Sequence, residues 1–158
     1  MLPTHKEQSP VPQVFKAQRR VEFAETDMAG IVHFANFFRY MEMTEHALFR
    51  SVGLSVSMHI EDAEIGWPRV SASCDYKSPL RFEQEFEVHL QISEIRRRAV
   101  VYQHRFVRIE NNQEIEIAVG TVTAVCAVRN PETGTLRSIE IPPMVLQRLA
   151  AFAPPTGE

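Results

Sequence analysis

The chain has 158 residues, 44% of them hydrophobic and 23% charged, the make-up of one globular domain large enough to bury a core. A formal net charge of -3 without any long basic run excludes the electrostatic footprint of a nucleic-acid or acidic-membrane partner. No stretch approaches about 20 uninterrupted apolar residues, and the start, Met-Leu-Pro-Thr-His-Lys-Glu, lacks the apolar segment of a secretory signal, so a soluble cytoplasmic protein is expected.

Residues 1–13 hold three prolines among mostly polar neighbours and are expected to form a flexible N-terminal arm before a single domain over 14–153 and a tail over 154–158. Phe15, Ala17, Val21 and Phe23 then alternate with Lys16, Arg20 and Glu22, the period of a half-buried strand, with Arg19 breaking the apolar side.

Next comes a polar turn, Glu25-Thr26-Asp27-Met28-Ala29-Gly30, running into a long helical pattern. It is where a carboxylate meets a helix start. The first N–H groups of a helix have no partners within it and carry partial positive charge. A carboxylate near such donors supplies both parts needed to attack a carbonyl and hold the oxyanion. The simpler reading is that Asp27 bonds the N–H groups of its own turn.

From residue 34 to 52, Phe37, Met41, Leu48 and Val52 recur at helical spacing while Arg39, Glu42, His46 and Arg50 gather opposite. Gly53-Leu54 ends the helix, which at about 1.5 Å per residue spans roughly 28 Å. Glu42, Glu45 and His46 lie on or near one polar stripe, expected to face water or a partner subunit; the alternative is a second acid at the site.

Residues 55–66 show no clear period and read as a loop or a second short turn over the sheet. Strands follow: Val70 to Tyr76, Phe86 to Ile92, Val100 to Ile109, and a long one from Ile115 to Val128. Arg96-Arg97-Arg98 forms a hairpin tip that either keeps strand ends soluble or meets phosphate. Asn111-Asn112 and Asn130-Pro131-Glu132-Thr133-Gly134 are turns, and Pro142-Pro143 introduces a short helix from Met144 to Phe152. Strands and helices do not alternate, so the fold class is α+β, an antiparallel sheet with one long helix on one face. Cys74 and Cys126 fall on apolar strands and read as buried free thiols. The histidines show no metal spacing and no phosphate-binding glycine loop occurs, so neither metal nor cofactor is expected.

The run Val21-Glu22-Phe23, Thr26-Asp27-Met28-Ala29-Gly30-Ile31-Val32 and Asn36-Phe37-Phe38-Arg39-Tyr40, with the later break Tyr76-Lys77-Ser78-Pro79, resembles the 4-hydroxybenzoyl-CoA thioesterase group of the hot-dog fold. The resemblance implies a curved five-stranded antiparallel sheet wrapped around one long central helix. It further implies homodimers joined edge to edge that assemble into homotetramers, and hydrolysis of acyl-CoA thioesters at the dimer interface. Carried over by position, Asp27 is the catalytic carboxylate, as nucleophile through a mixed anhydride or as general base on water, and the Phe34 backbone N–H polarises the thioester carbonyl. Gly30, Ile31 and His33 are placed at the substrate, and Arg96, Arg97 and Arg98 at the CoA phosphates. Many relatives of this kind carry Tyr-His where this chain has His33-Phe34, so His33 lies one position early and does not inherit that histidine's role. Two rivals remain: a non-catalytic acyl-thioester binding module, and a hydratase or dehydratase that pairs a histidine with an acid.

Overall fold

A computed structural model of the chain describes residues 11–155. Five strands, β1 (Phe15–Arg20), β4 (Arg69–Tyr76), β5 (Glu85–Ile95), β6 (Ala99–Glu110) and β7 (Gln113–Val125), form an antiparallel sheet in the order β1-β5-β6-β7-β4. Helix α1 (Asn36–Ser51) packs against it, the arrangement that the resemblance implies. The turn between β6 and β7 is Asn111-Asn112, both with positive φ, as a tight hairpin favours. β5 and β6 are joined through the arginine tip.

The apolar stripe of α1 is as expected: Phe37, Met41 and Leu48 are buried. Gly53 adopts φ 74° and the Leu54 N–H reaches back 2.8 Å to the Phe49 carbonyl, closing the helix end. Beneath this rod the core divides in two. Phe37, Tyr40 and Met41 pack with Leu80, Phe86, Phe106 and Ile117; Leu48 and Phe49 pack with Trp67, Tyr102 and the short helix α2 (Pro143–Leu149).

At Gly120 of β7 the Met41 side chain of the helix lies directly on the strand backbone. A Cβ built there would lie 2.2 Å from Met41 Sδ and 3.3 Å from the Ser73 carbonyl oxygen, so a side chain at this position displaces the helix or Met41.

Three expectations are corrected. Residues 55–66 are not a loop: β2 (Met58–Ile60) and β3 (Ala63–Gly66) form a hairpin, turned at Glu61 with φ 54°, in a second sheet ordered β2-β3-β8-β9. Strands this short give too few positions for alternation to show. The long last strand breaks at Cys126, whose N–H donates to Arg98; β8 (Ala127–Arg129) then crosses to the second sheet and pairs with β9 (Leu136–Ser138). The first strand ends at Arg20, and Phe23–Glu25 form a 3-10 turn with Phe23 exposed. The expected arm and tail fall mostly outside the described residues; Gln13 donates its N–H to the Ala151 carbonyl.

Glu45 is a fourth correction. It does not join a solvated stripe but is 2% exposed, because it lies one turn from Met41 and just before Leu48 on the buried side. One carboxylate oxygen accepts from Arg69 of β4 at 2.5 Å; the other faces the Nε2 atom of fully buried His104 at 3.5 Å. Burial pushes the Glu45 carboxyl up to about 7 despite Arg69, and pushes His104 down to about 3.

Gly120→Ala is expected to destabilise the fold by ~1–3 kcal/mol through overpacking, read from the urea midpoint; an unchanged midpoint would show that Met41 swings aside freely. For Glu45, the folded state keeps a proton that the unfolded chain releases between pH 4.5 and about 7, a contribution complete below that window and lost on crossing it upward. His104 acts with the opposite sign between about 3 and 6.5. The melting temperature of Glu45→Gln relative to the parent is therefore expected to rise from pH 4.5 to 7, and a flat difference in calorimetry would show that Glu45 stays ionised throughout.

Candidate active site

The turn ahead of α1 is a closed hairpin. Thr26 bridges to Val32, the Asp27 N–H donates to the Ile31 carbonyl at 2.9 Å, and the Gly30 N–H donates back to the Asp27 carbonyl at 3.0 Å. Gly30 sits at φ 73°, a conformation glycine adopts without side-chain cost. The Asp27 carboxylate accepts the Ala29 N–H through Oδ1 at 2.8 Å, the local turn bond of the simpler reading. That bond occupies one oxygen, and among the described residues Oδ2 has no hydrogen-bond partner. The hairpin is anchored to the domain by the Val32 N–H, which donates to the Leu80 carbonyl at 2.8 Å.

Asp27 borders a cleft of about 490 Å³. Ile31, Val32, Phe34 and Phe37 form one wall, and Tyr76, Lys77, Ser78, Pro79 and Leu80 the other. The lining is largely apolar, with one carboxylate and one ammonium group at its edges. The Phe37 ring meets the Tyr76 ring edge-on at 5.1 Å, and the Tyr76 hydroxyl donates to the Phe34 carbonyl at 3.1 Å. Desolvation pushes the Tyr76 hydroxyl up to about 12, which keeps it a donor at neutral pH. Lys77 is held by Glu116 of β7.

Phe34 lies just before α1. Its carbonyl receives the Phe37 N–H at 3.3 Å while, among the described residues, its own N–H has no hydrogen-bond partner. Such a donor at a helix start is suited to a developing negative charge. Asp27 and Phe34 thus border the same cleft.

The other sequence candidates separate. Ile31 lines the cleft; Gly30 shapes the turn behind it. His33 is exposed, stacks on the Phe34 ring at 4.5 Å and uses Nδ1 to accept the Ala35 N–H at 3.2 Å, the part of a cap. The arginines lie beyond the far end of β5, about 30 Å of extended strand from the cleft end of the sheet in the same chain. Arg96 pairs with Glu94, Arg97 with Glu140, and Arg98 reaches Ser138. Sequence reasoning missed the wall from Tyr76 to Leu80 as a wall. Its signal was the proline break after β4, which turns the chain across the mouth of the helix.

Among the described residues no group of three or more His, Cys, Asp or Glu side chains is placed to hold a metal ion, and no helix is long and apolar enough to cross a membrane. Cys74 is half-buried and Cys126 buried, both as free thiols.

The family model of the thioesterase-like superfamily matches residues 21–149. A protein of Aquifex aeolicus that carries an esterase name is 36% identical over 135 residues, covering 85% of this chain and 97% of that one. The 4-hydroxybenzoyl-CoA thioesterase of Pseudomonas sp. (strain CBS-3) is 27% identical over 128 residues, covering 79% and 89%. Among solved structures, a gentisyl-coenzyme A thioesterase superposes with a TM-score of 0.69 at 27% identity, covering 85% of this chain and 98% of that one. The Pseudomonas enzyme superposes with a TM-score of 0.73 at 22% identity, over 85% and 98%. With a family model spanning nearly all of the domain and these neighbours sharing its architecture, the chain belongs to the thioesterase-like superfamily and has the hot-dog fold.

Proposed function

We propose that this thioester hydrolase releases CoA from an acyl-CoA, using Asp27 as the reacting carboxylate and the Phe34 N–H as oxyanion donor. The observation that carries the reading is their meeting in one cleft, with the Phe34 N–H and Asp27 Oδ2 both without partners among the described residues. The thioester carbonyl oxygen accepts from Phe34, and charge gathering on it is stabilised by the helix start. Asp27 then follows one of two routes. As nucleophile it forms a mixed anhydride and expels CoA thiolate, and water hydrolyses the anhydride; as base it takes a proton from the water that attacks. The apolar walls receive the acyl group. Among the described residues no histidine lines this cleft, so the hydratase pairing of histidine with acid finds no support.

The arginine tip enters through a second copy. β4 pairs only with β7 among the described residues and is exposed along most of its length, leaving an open sheet edge. Antiparallel pairing of two β4 strands sets the Arg69 end of one beside the Tyr76 end of the other. The tip lies next to the Arg69 end, since the Val125 N–H donates to the Pro68 carbonyl and the Cys126 N–H to Arg98. A homodimer formed this way carries Arg96, Arg97 and Arg98 of one copy toward the cleft of the other, where CoA phosphates emerge, and leaves the faces of the sheets for assembly into a homotetramer.

Asp27→Asn is expected to keep the fold and lower kcat by ~100-fold or more, measured as free thiol released from a panel of acyl-CoAs; undiminished turnover removes Asp27 from the chemistry. Neutralising Arg96, Arg97 and Arg98 together is expected to raise KM for acyl-CoA while scarcely changing it for a pantetheine thioester. An equal rise for both substrates discards phosphate contact.

A further inference from the structure

Asp27 and Phe34 are carried neither by a strand nor by the body of α1, so their separation depends on what holds the segment between β1 and the helix. Five of the hydrogen bonds in that segment involve Glu25, among them those that tie it directly to α1. Its carboxylate accepts the Tyr40 hydroxyl at 2.7 Å and the Glu22 N–H at 2.8 Å, both through Oε2. Its backbone carbonyl accepts the His33 N–H at 2.9 Å and the Asn36 side-chain amide at 2.8 Å. The residue two places before the reacting carboxylate is thus bonded to the residue immediately before the oxyanion donor, and to the first residue of α1.

The anchor at the other end is rigid. Tyr40 is 1% exposed, with Phe86 at 5.1 Å and Phe37 at 6.0 Å between ring centroids. The Arg19 guanidinium lies over its ring, 5.2 Å from the centroid. This gives Arg19, which interrupts the apolar side of β1, a physical place: a cation against an aromatic face. Burial, and then the Glu25 bond, hold the Tyr40 hydroxyl well above its ordinary range, so it remains a donor. Glu25 does not line the cleft.

We propose that Glu25, clamped by Tyr40, is the positioning residue of this site: it fixes the Asp27 hairpin against the start of α1 and acts on turnover without touching the substrate. The inference rests on the roles given above to Asp27 and Phe34. Small displacements of reacting groups are costly, because a misplacement of about 1 Å can cost about 100-fold in rate. A latch that serves only stability would change the melting temperature and leave the rate per folded molecule alone.

The experiment compares Tyr40→Phe, Glu25→Ala and Glu25→Gln with the parent by thiol release from acyl-CoA, with kcat and KM resolved and melting temperatures recorded. Tyr40→Phe removes one oxygen and leaves the ring packing in place. It is expected to lower kcat about 10- to 100-fold with KM changed by less than about twofold. Glu25→Ala is expected to match it, and the double variant Tyr40→Phe with Glu25→Ala to fall no further than either single one, because the two groups act through one bond. Glu25→Gln keeps an oxygen that accepts from both Tyr40 and Glu22 and is expected to restore most of kcat. Parental kcat in a folded Tyr40→Phe, or a Glu25→Gln as slow as Glu25→Ala, overturns the latch while leaving the chemistry of the cleft standing. A parent that releases no thiol from any acyl-CoA overturns the functional reading and the latch with it.

Discussion

The contact between Met41 and Gly120 sets the depth at which the helix lies in the sheet. Strands and helices pack through their side chains, and here one strand contributes none at the crossing point, so Met41 fills the space that a β-carbon would take. One turn earlier on the same side of α1, Phe37 packs against Phe106 and Tyr76, which brings the first turn of the helix to the end of β4. The cleft beside Asp27 exists because that end of the rod is fixed by packing while the hairpin before it loops over the rim.

The same seating explains the buried acid. Once Met41 and Leu48 face the sheet, Glu45 between them is carried to the buried side, and Arg69 reaches it from the exposed edge strand. Where Glu45 is ionised, a pair of this kind contributes little net stability compared with apolar side chains of the same volume, yet removing Arg69 leaves a buried carboxylate without its cation. It links the start of β4 to the middle of α1, and so ties the open edge of the sheet to the helix that it flanks.

Much of this was legible in the sequence. The spacing of Phe37, Met41 and Leu48, the stop at Gly53 and the turn from Asp27 to Gly30 are local features, set by residues within a few positions of one another, and these stand in the structure as read. Glu45 was within reach too: the gap between Met41 and Leu48 in the apolar series had to be filled by residues on the same side, which a charge-based reading of the stripe passed over. What sequence did not reveal were contacts made across distance. Tyr76 bonds the carbonyl of Phe34 from another strand, Arg69 finds Glu45 across the helix–sheet gap, and Glu25 reaches Tyr40 in the interior of a helix. None of these has a spacing, because the chain between the partners is free to vary. The hairpin of β2 and β3 failed to show for the opposite reason, being too short to establish a period.

The division of the core beneath α1 bears on where substitutions are tolerated. The cluster of Phe37, Tyr40, Phe86 and Phe106 underlies the Asp27 rim, whereas Trp67, Leu48, Val145 and Leu149 join the rod to the smaller sheet and the last helix. Substitutions in the second group fall in a cluster separate from the one beneath the Asp27 rim. Volume changes among Trp67, Leu48, Val145 and Leu149 can therefore be taken up by the smaller sheet and the last helix, leaving the aromatic floor beneath the Asp27 hairpin in place.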